Sequence, residues 1–153
     1  MTTNDAINPD HYKTHPVFGD LECVDVTSRL GFLRGNAIKY LWRLGRKDDA
    51  SQDAHKALWY IDRLASSYTA PSESTGASHI HATTIKDSEL LSRLTPTHQV
   101  DLIQWAVIGT DNNELLDEAA ALLIHHLATS GKQSGAREAA LFMRLIMTKY
   151  KLW

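Results

Sequence analysis

The sequence predicts an all-α protein, a small helical bundle, and three observations carry this prediction. Apolar residues in the longer segments recur every three to four positions, which is the spacing of one face of a helix. No segment alternates convincingly between apolar and polar residues, as a half-buried strand does. The length of 153 residues suffices for one domain whose hydrophobic core needs no metal or disulfide.

The first predicted helices lie in the N-terminal third of the chain. A short helix falls within residues 21–33 and is interrupted or ends near Gly31, because its apolar residues recur at intervals of two to four. A second helix covers residues 35–46, with Gly35 at its start and Gly45 near its end. Its apolar side is formed by Ala37, Ile38, Leu41 and Leu44. We expect the neighbouring Trp42 to pack and not to bind a ligand.

Helical periodicity returns further along the chain. Residues 53–65 form a helix with N-capping candidates among residues 48–53. A proline at a first helical position predicts a helix over residues 95–109. Residues 111–131 form the next one, from an Asp cap to a Gly stop, and a final helix capped by Ser134 reaches the C-terminus.

These helices divide into two lobes. Residues 66–84 are rich in Ser, Thr, Ala and Gly, and such a composition buries too little apolar surface to offset the entropy lost on ordering. We therefore predict an N-terminal lobe over residues 1–68, a flexible linker over residues 69–86 and a C-terminal lobe over residues 87–153. The C-terminal lobe is expected to pack on the first lobe or on another subunit of a homo-oligomer.

Charge and cysteine content exclude several classes of protein. The sequence contains 16 Lys and Arg residues and 18 Asp and Glu residues, and the resulting net charge of −2 disfavours general binding to duplex DNA. The only cysteine, Cys23, cannot form an internal disulfide and is expected in the core. The N-terminus lacks the plan of a secretory signal, and no apolar run approaches the roughly 18 to 20 residues that span a bilayer. We expect a cytoplasmic protein that binds no membrane.

The helix predicted over residues 35–46 has a polar side suited to anions. At about 100° per residue, one stripe opposite the apolar face contains Asn36, Lys39, Tyr40, Arg43 and Lys47. Lys and Arg bind phosphate oxygens, an Asn amide can read a base edge, and a Tyr ring can stack. An antiparallel neighbour would add Lys56, Trp59, Tyr60 and Arg63. The simpler alternative is an ordinary solvated helix face.

A loop before these helices adds further candidates. In the segment Asn8-Pro9-Asp10-His11-Tyr12, the proline stiffens a loop that presents three polar or aromatic side chains together. A loop of this kind can close over a site.

Several motifs occur in an order that resembles a known family. They are Asn8-Pro9-Asp10-His11-Tyr12, Glu22-Cys23-Val24-Asp25-Val26, Gly35-Asn36-Ala37-Ile38-Lys39-Tyr40-Leu41-Trp42-Arg43, Gly45-Arg46-Lys47 and Lys56-Ala57-Leu58-Trp59-Tyr60-Ile61-Asp62-Arg63-Leu64. Over residues 8–65 the chain resembles a phage family known as domain of unknown function 3310. The resemblance implies a phage protein acting in the cytoplasm of an infected bacterium. It also implies a nucleotide-like ligand, since a coliphage member phosphorylates nucleoside monophosphates.

The sequence contains no recognisable catalytic apparatus. It lacks the Gly-rich loop with Gly-Lys-Ser/Thr that cradles phosphates in conventional nucleotide kinases, so phosphoryl transfer would have to rely on side-chain cations. Glu114, Asp117 and Glu118 share roughly one helix face, but acidic residues are favoured in the first turns of any helix. We expect no metal and no cofactor.

The leading hypothesis is a binding protein that captures a nucleotide or cyclic nucleotide, such as a signal used in bacterial antiphage defence, and sequesters it. In this hypothesis Lys and Arg neutralise phosphates, aromatic rings stack, and Asp, His and Asn orient the ligand. The predicted ligand-binding residues are Asp10, His11, Tyr12, Asn36, Lys39, Tyr40, Arg43, Lys47 and Trp59. Two alternatives stay open: a nucleoside monophosphate kinase without a P-loop, and a module that binds a host protein.

Overall fold

The protein folds as a bundle of α-helices, which confirms the predicted class. The computed structural model describes residues 6–47, 49–66, 87–94, 113–129 and 133–153. The helices are α1 (Asp10–Lys13), α2 (Cys23–Thr27), α3 (Phe32–Trp42), α4 (Ala50–Ser66), α5 (Asp87–Leu94), α6 (Asn113–Thr129) and α7 (Gln133–Lys149). The pairing of extended backbone within these ranges is a single isolated bridge between His15 and Gly19.

The interruption predicted near Gly31 separates α2 from α3. A reciprocal capping box begins α2, in which the backbone N–H of Glu22 donates to Asp25 Oδ2 at 2.9 Å. Gly31 occupies the extended N-cap position of α3, so that helix starts at Phe32. The start predicted at Gly35 was wrong, because Gly35 lies inside α3 and donates its N–H to the Gly31 carbonyl at 2.8 Å.

The end of α3 also differs from the prediction. The helix stops at Trp42, and a turn follows in which the Arg46 N–H donates to the Arg43 carbonyl at 2.8 Å. Gly45 has φ +77°, the left-handed conformation that commonly ends helices. Lys47 therefore lies beyond α3, and its placement on the helical stripe was wrong.

The remaining helices extend or shift the predicted segments. Asp49 Oδ1 accepts the Ser51 N–H at 3.3 Å, so a residue of the predicted capping region begins α4 at Ala50. The helix predicted to follow a cap at Ser134 begins at Gln133, so that Ser134 is already a helical residue of α7. α5 was not predicted. The linker and the helix predicted over residues 95–109 lie outside the described residues, as does the cap at Asp111.

One hydrophobic core joins N-terminal and C-terminal helices. α4 packs against both α3 and α7, and α6 packs against α3 and α7. Trp42 and Cys23 are buried, which confirms their predicted packing roles. The largest fully buried apolar side chains come from both halves of the chain and are Trp42, Leu21, Ile38, Leu41, Ile61, Leu64, Leu123, Ile124, Leu127 and Met143.

Polar contacts tie the C-terminal helices to the same body. Arg34 Nε donates to the Leu127 carbonyl at 3.1 Å, and so a buried arginine of α3 satisfies a backbone carbonyl of α6. Arg144 of α7 holds Asp62 of α4 in two hydrogen bonds of 2.9 and 2.8 Å. Across the described ranges, no helix combines the length and the apolar character that crossing a membrane requires.

Candidate functional site

The antiparallel packing of α3 on α4 gathers aromatic rings on one surface. Tyr40 of α3 stacks on Tyr60 of α4, with ring centroids 5.9 Å apart and planes 15° from parallel. Phe32 meets the same Tyr60 ring edge-on at 6.0 Å, and Trp59 does so at 4.9 Å. Phe32 and Trp59 are 69% and 54% exposed, although both stand on helices. We call Phe32, Tyr40, Trp59 and Tyr60 the aromatic face.

Cations surround the aromatic face. Lys39 Nζ lies 4.5 Å and Lys56 Nζ 5.4 Å from the centroid of the Tyr40 ring. The Arg63 guanidinium carbon lies 5.2 Å from the centroid of Trp59. Each such cation–π contact at an exposed site contributes about 0.5–1 kcal/mol, so a lysine can leave the ring when a stronger anionic partner arrives.

The charge on this surface is not balanced locally. α3 contains no acidic residue, and both acidic side chains of α4 already form ion pairs with arginines. Asp53 pairs with Arg43, and Asp62 pairs with Arg144. In the part of the chain that is described, neither Lys39 nor Lys56 forms an ion pair with a carboxylate. The surface therefore combines stacking area with excess positive charge.

Arg43 has a different environment from the lysines. Its side chain is 5% exposed, and its Nε and Nη2 donate to Asp53 Oδ1 at 3.2 and 2.9 Å. Its Nη1 donates to the Tyr12 hydroxyl at 3.0 Å. Burial lowers the pKa of Arg43, but the contacts with Tyr12 and Asp53 outweigh it and raise that pKa above the ordinary value. Arg43 thus links α1 to α3 and α4, and a ligand phosphate would have to compete with Asp53 for it.

The segment predicted as a loop from Asp10 to Tyr12 is helical instead. It forms the first turn of α1, where Lys13 Nζ lies 3.6 Å from Asp10 Oδ1 and the His11 ring lies 4.3 Å from Tyr12. A hydrogen bond of 3.2 Å from Asn8 Nδ2 to Glu22 Oε1 anchors the chain before it. The loop prediction was wrong because the chain becomes helical directly after Pro9, which is the N-cap of α1 and has an extended backbone. The Tyr12 N–H donates to the Pro9 carbonyl at 3.0 Å.

The structure brings some predicted residues together and separates others. Tyr12, Arg43, Tyr40 and Lys39 form one continuous chain of contacts, and Tyr60 joins Trp59 to it. Asn36 uses its Nδ2 group to donate to the Phe32 carbonyl at 2.8 Å. Asp10 is occupied with Lys13. The ligand-binding roles of the predicted residues stay predictions.

Sequence reasoning missed a buried cluster next to the end of α3. The His15 ring packs 5.0 Å from Trp42 and 4.8 Å from Phe18. Burial, and next the charge of Arg46, lowers the pKa of His15 from 6.5 to about 3, so its ring is neutral at physiological pH. His15 lies among prolines and polar residues, in a segment without helical periodicity. No pattern in the sequence therefore predicted that its ring is buried.

Asp53 is the other residue that the sequence did not reveal. It lies in the first turn of α4, where an acidic residue is typical of helix capping and of the helix dipole. Its complete burial against Arg43 depends on the approach of α3, which the local sequence does not encode.

The lone cysteine and the acidic and histidine side chains of the described residues have ordinary structural surroundings. Burial raises the pKa of the Cys23 thiol from 9.0 to about 12, which opposes formation of a nucleophilic thiolate. Among the side chains that the structure describes, no three His, Cys, Asp or Glu groups are placed to hold one metal ion. Asp117, from the predicted acidic helix face, instead lies 3.5 Å from Arg46 Nη1.

Comparison with known proteins finds a family model that matches the N-terminal region. Residues 7–62, just over a third of the chain, match the family model described as protein of unknown function (DUF3310). This match confirms the resemblance seen in the motifs. The curated proteins and the solved structures contain no match to this chain.

Proposed function

We propose that the surface between α3 and α4 binds a phosphate-bearing nucleotide and sequesters it. The observation that carries this proposal is the exposed aromatic face, flanked by Lys39 and Lys56, which have no carboxylate partner in the described chain. A nucleotide offers the complementary features, a flat base and a negatively charged phosphate.

The base would stack on the exposed rings. Trp59 and Phe32 present exposed faces on two different helices, and Tyr60 packs between them. Stacking of a base on an aromatic side chain contributes about 1–3 kcal/mol. Because these rings stand on packed helices, little side-chain entropy is lost when the base arrives.

The phosphate would be held by the lysines. Lys39 and Lys56 approach the Tyr40 ring from neighbouring helices, so both ammonium groups can reach one anion placed over that ring. Hydrogen bonds to charged groups contribute about 1.5–3 kcal/mol. Arg43 supports the site by holding Tyr12 and by facing the Tyr40 ring at 4.8 Å.

Sequestration is favoured over turnover by the chemistry of the surface. It offers rings and cations, whereas transfer of a phosphoryl group needs a second phosphate position and a group that accepts the proton of the attacking hydroxyl. The family resemblance supports a phage protein, and the natural ligand would be a nucleotide signal of host defence in the cytoplasm of an infected bacterium. The predicted homo-oligomer stays a prediction.

Calorimetry with AMP and adenosine tests the site. Compared with the unaltered protein, the double variant Lys39→Gln/Lys56→Gln should bind AMP at least tenfold more weakly and adenosine about equally well. Only the contacts with the phosphate are lost, and adenosine has no phosphate. Trp59→Ala should weaken both ligands. Arg137→Gln, which removes an exposed charge from α7, is the matched control. Equal AMP affinity in the double variant and the unaltered protein would reject the proposal.

A second experiment separates capture from catalysis. The protein is incubated with ATP and each nucleoside monophosphate, then denatured, and the released small molecules are identified by mass spectrometry. Recovery of unaltered nucleotide in stoichiometric amounts supports sequestration. Diphosphate products would instead identify a nucleoside monophosphate kinase, and absence of any retained nucleotide would favour a protein-interaction module.

A further inference from the structure

The cations beside the aromatic face lie at two different places on it. Lys39 and Lys56 flank the ring of Tyr40, and their Nζ atoms lie 4.5 and 5.4 Å from its centroid. The guanidinium of Arg63 instead contacts Trp59, with its carbon atom 5.2 Å from the centroid of that ring. We call the first place the lysine end of the aromatic face and the second place its arginine end.

Helix geometry sets the distance between the two ends. Lys56 and Arg63 are seven positions apart on α4, which corresponds to about 10.5 Å along the helix axis. A spacing of seven positions also brings the two side chains back to nearly the same side of the helix. The lysine end and the arginine end therefore belong to one surface but are well separated along it.

Aromatic rings fill the space between the ends. Tyr40 and Phe32 are eight positions apart on α3, which is about 12 Å along its axis. The centroid of Tyr60 lies 5.9 Å from that of Tyr40 and 6.0 Å from that of Phe32, so the Tyr60 ring lies between them. Trp59 contacts the same ring at 4.9 Å. The rings thus form a row that begins at the lysine end and reaches the arginine end.

One phosphate cannot contact both ends of this row. Charge-assisted hydrogen bonds between these cations and phosphate oxygens are about 2.7–2.9 Å long. With each cation beside its own ring, the ends are too far apart for the oxygens of a single phosphate to lie within that distance of both. A ligand that uses both ends must carry two phosphates with its base between them.

We propose that the aromatic face binds a nucleotide that carries one phosphate on its 5′ side and another on its 3′ side. One phosphate would contact Lys39 and Lys56, the other would contact Arg63, and the base would stack on the exposed rings between them. A guanidinium has five N–H donors, and a fork to two phosphate oxygens uses two of them.

This inference rests on the function proposed above and narrows its ligand to one chemical class. An internal nucleotide of a linear oligonucleotide and a free nucleoside 3′,5′-bisphosphate both belong to that class. Nucleoside diphosphates and triphosphates do not, because all their phosphates lie on one side of the nucleoside.

Two isomers allow a direct test by calorimetry on the full chain. ADP and adenosine 3′,5′-bisphosphate have the same composition, but only the second carries phosphates on both sides of the nucleoside. The bisphosphate should bind at least tenfold more tightly than AMP, because it gains charge-assisted hydrogen bonds at the arginine end. An affinity for the bisphosphate no higher than that for AMP overturns the inference.

The variant Arg63→Gln separates the two ends. It should weaken binding of the bisphosphate at least tenfold and change the affinity for ADP by less than about twofold, because ADP does not reach the arginine end. Arg63 is exposed on α4, and circular dichroism checks that the variant folds. Arg137→Gln removes an exposed arginine from α7 and should change neither affinity. Equal weakening of both isomers in Arg63→Gln, or no weakening of either, refutes a role of Arg63 in binding the second phosphate.

Failure of this inference differs from failure of the proposed function. If AMP binds and loses affinity in Lys39→Gln/Lys56→Gln, but the bisphosphate binds no more tightly than AMP, nucleotide binding stands and the doubly phosphorylated class is wrong. If neither AMP nor the bisphosphate binds, the proposed function fails and this inference fails with it.

A short oligonucleotide distinguishes the two sources of the doubly phosphorylated unit. The probe is the dinucleotide pApA, whose first nucleotide carries phosphates on both sides. Binding of pApA at least as tight as that of the bisphosphate, and weakened in Arg63→Gln, identifies a segment of a linear oligonucleotide as the ligand. Weaker binding of pApA than of the bisphosphate identifies the free nucleoside bisphosphate.

Discussion

Arg43 shows how one residue type serves two different purposes. An arginine on a polar helix stripe has the chemistry of a phosphate ligand, but here the guanidinium is buried against the fully buried Asp53 and the Tyr12 hydroxyl. A buried ion pair is costly to break, because removing one partner leaves the other charged and desolvated. Lys39, which lies on the same stripe and is partly exposed, keeps the freedom that Arg43 has lost.

We expect Arg43→Ala to reduce the free energy of unfolding by about 3–5 kcal/mol, since Asp53 would stay buried without its cation. Urea unfolding followed by circular dichroism measures this. Lys39→Ala should change stability by less than about 0.5 kcal/mol. Replacing both members of the pair, in Arg43→Met/Asp53→Leu, should recover much of the loss. A loss below about 1 kcal/mol in Arg43→Ala would contradict the ion pair's structural role.

His15 makes stability depend on pH. Its pKa is lowered from 6.5 to about 3, so below pH 6.5 the unfolded chain binds a proton that the folded protein refuses. This contribution to stability is complete above pH 6.5 and is lost as the pH falls towards 3. Between pH 7 and 5 the loss amounts to about 2 kcal/mol.

Urea unfolding at pH 7 and pH 5 checks this prediction in the unaltered protein and in His15→Gln. Carboxyl groups contribute equally to both proteins, so the difference between their pH slopes isolates His15. We expect the variant to lose about 2 kcal/mol less on acidification. Parallel pH profiles for the two proteins would show that His15 titrates normally in the fold.

At the scale of the elements, α3 shows why the sequence predicted a helix with a polar stripe here but misplaced the end of both. Its buried residues cover a broad arc of the helix, from Ala37 on one edge to Gly35 on the other, because α2, α4 and α6 all pack against it. The predicted polar stripe exists over Asn36, Lys39 and Tyr40, which are half-buried along the edge of α4. A wheel drawn through residue 47 extends past the real end of the helix.

The two glycines of this region should respond to alanine with opposite signs. Gly45→Ala should destabilise the protein by about 1–2 kcal/mol, because φ is +77° there. The added Cβ would itself find space, with Ala50 Cβ 4.0 Å away, so the cost is one of backbone strain.

Gly35→Ala is the comparison. The new Cβ would be in ordinary contact with Thr27, 3.6 Å from its carbonyl oxygen, inside a regular helix. We expect a gain of about 0.5–1 kcal/mol from the improved helix propensity. Thermal unfolding of both variants provides the measurement, and equal signs for the two changes would refute this account of where α3 ends.

At the scale of the whole molecule, the helices share one core. Met143 of α7 and Leu58 of α4 are buried in the same cluster as Cys23 of α2. Elements that bury each other's apolar surface lose that burial together, so they are expected to unfold together. The sequence division at residues 68 and 69 stays a prediction, because the chain at this point lies outside the described residues.

Cys23 provides a reporter for this coupling. Met143→Ala should cost about 2–5 kcal/mol and therefore speed the reaction of Cys23 with a thiol reagent at least tenfold, although the two residues lie on different helices. In the native protein the reaction should be slow, since the thiol is buried and its pKa is raised to about 12. Leu141→Ala, at an exposed position of α7, is the control. An unchanged labelling rate in Met143→Ala would indicate lobes that unfold separately.

The sequence by itself determined the helical class, most helix positions, the burial of Trp42 and Cys23, and the family match of the N-terminal region. These properties depend on periodicity and residue type, which are local. Only the tertiary structure decided which cations stay available. The partner of Arg43 comes from α4, and His15 reaches the ring of Trp42 from a non-helical segment. Such pairings depend on how helices approach one another, and no local pattern carries that information.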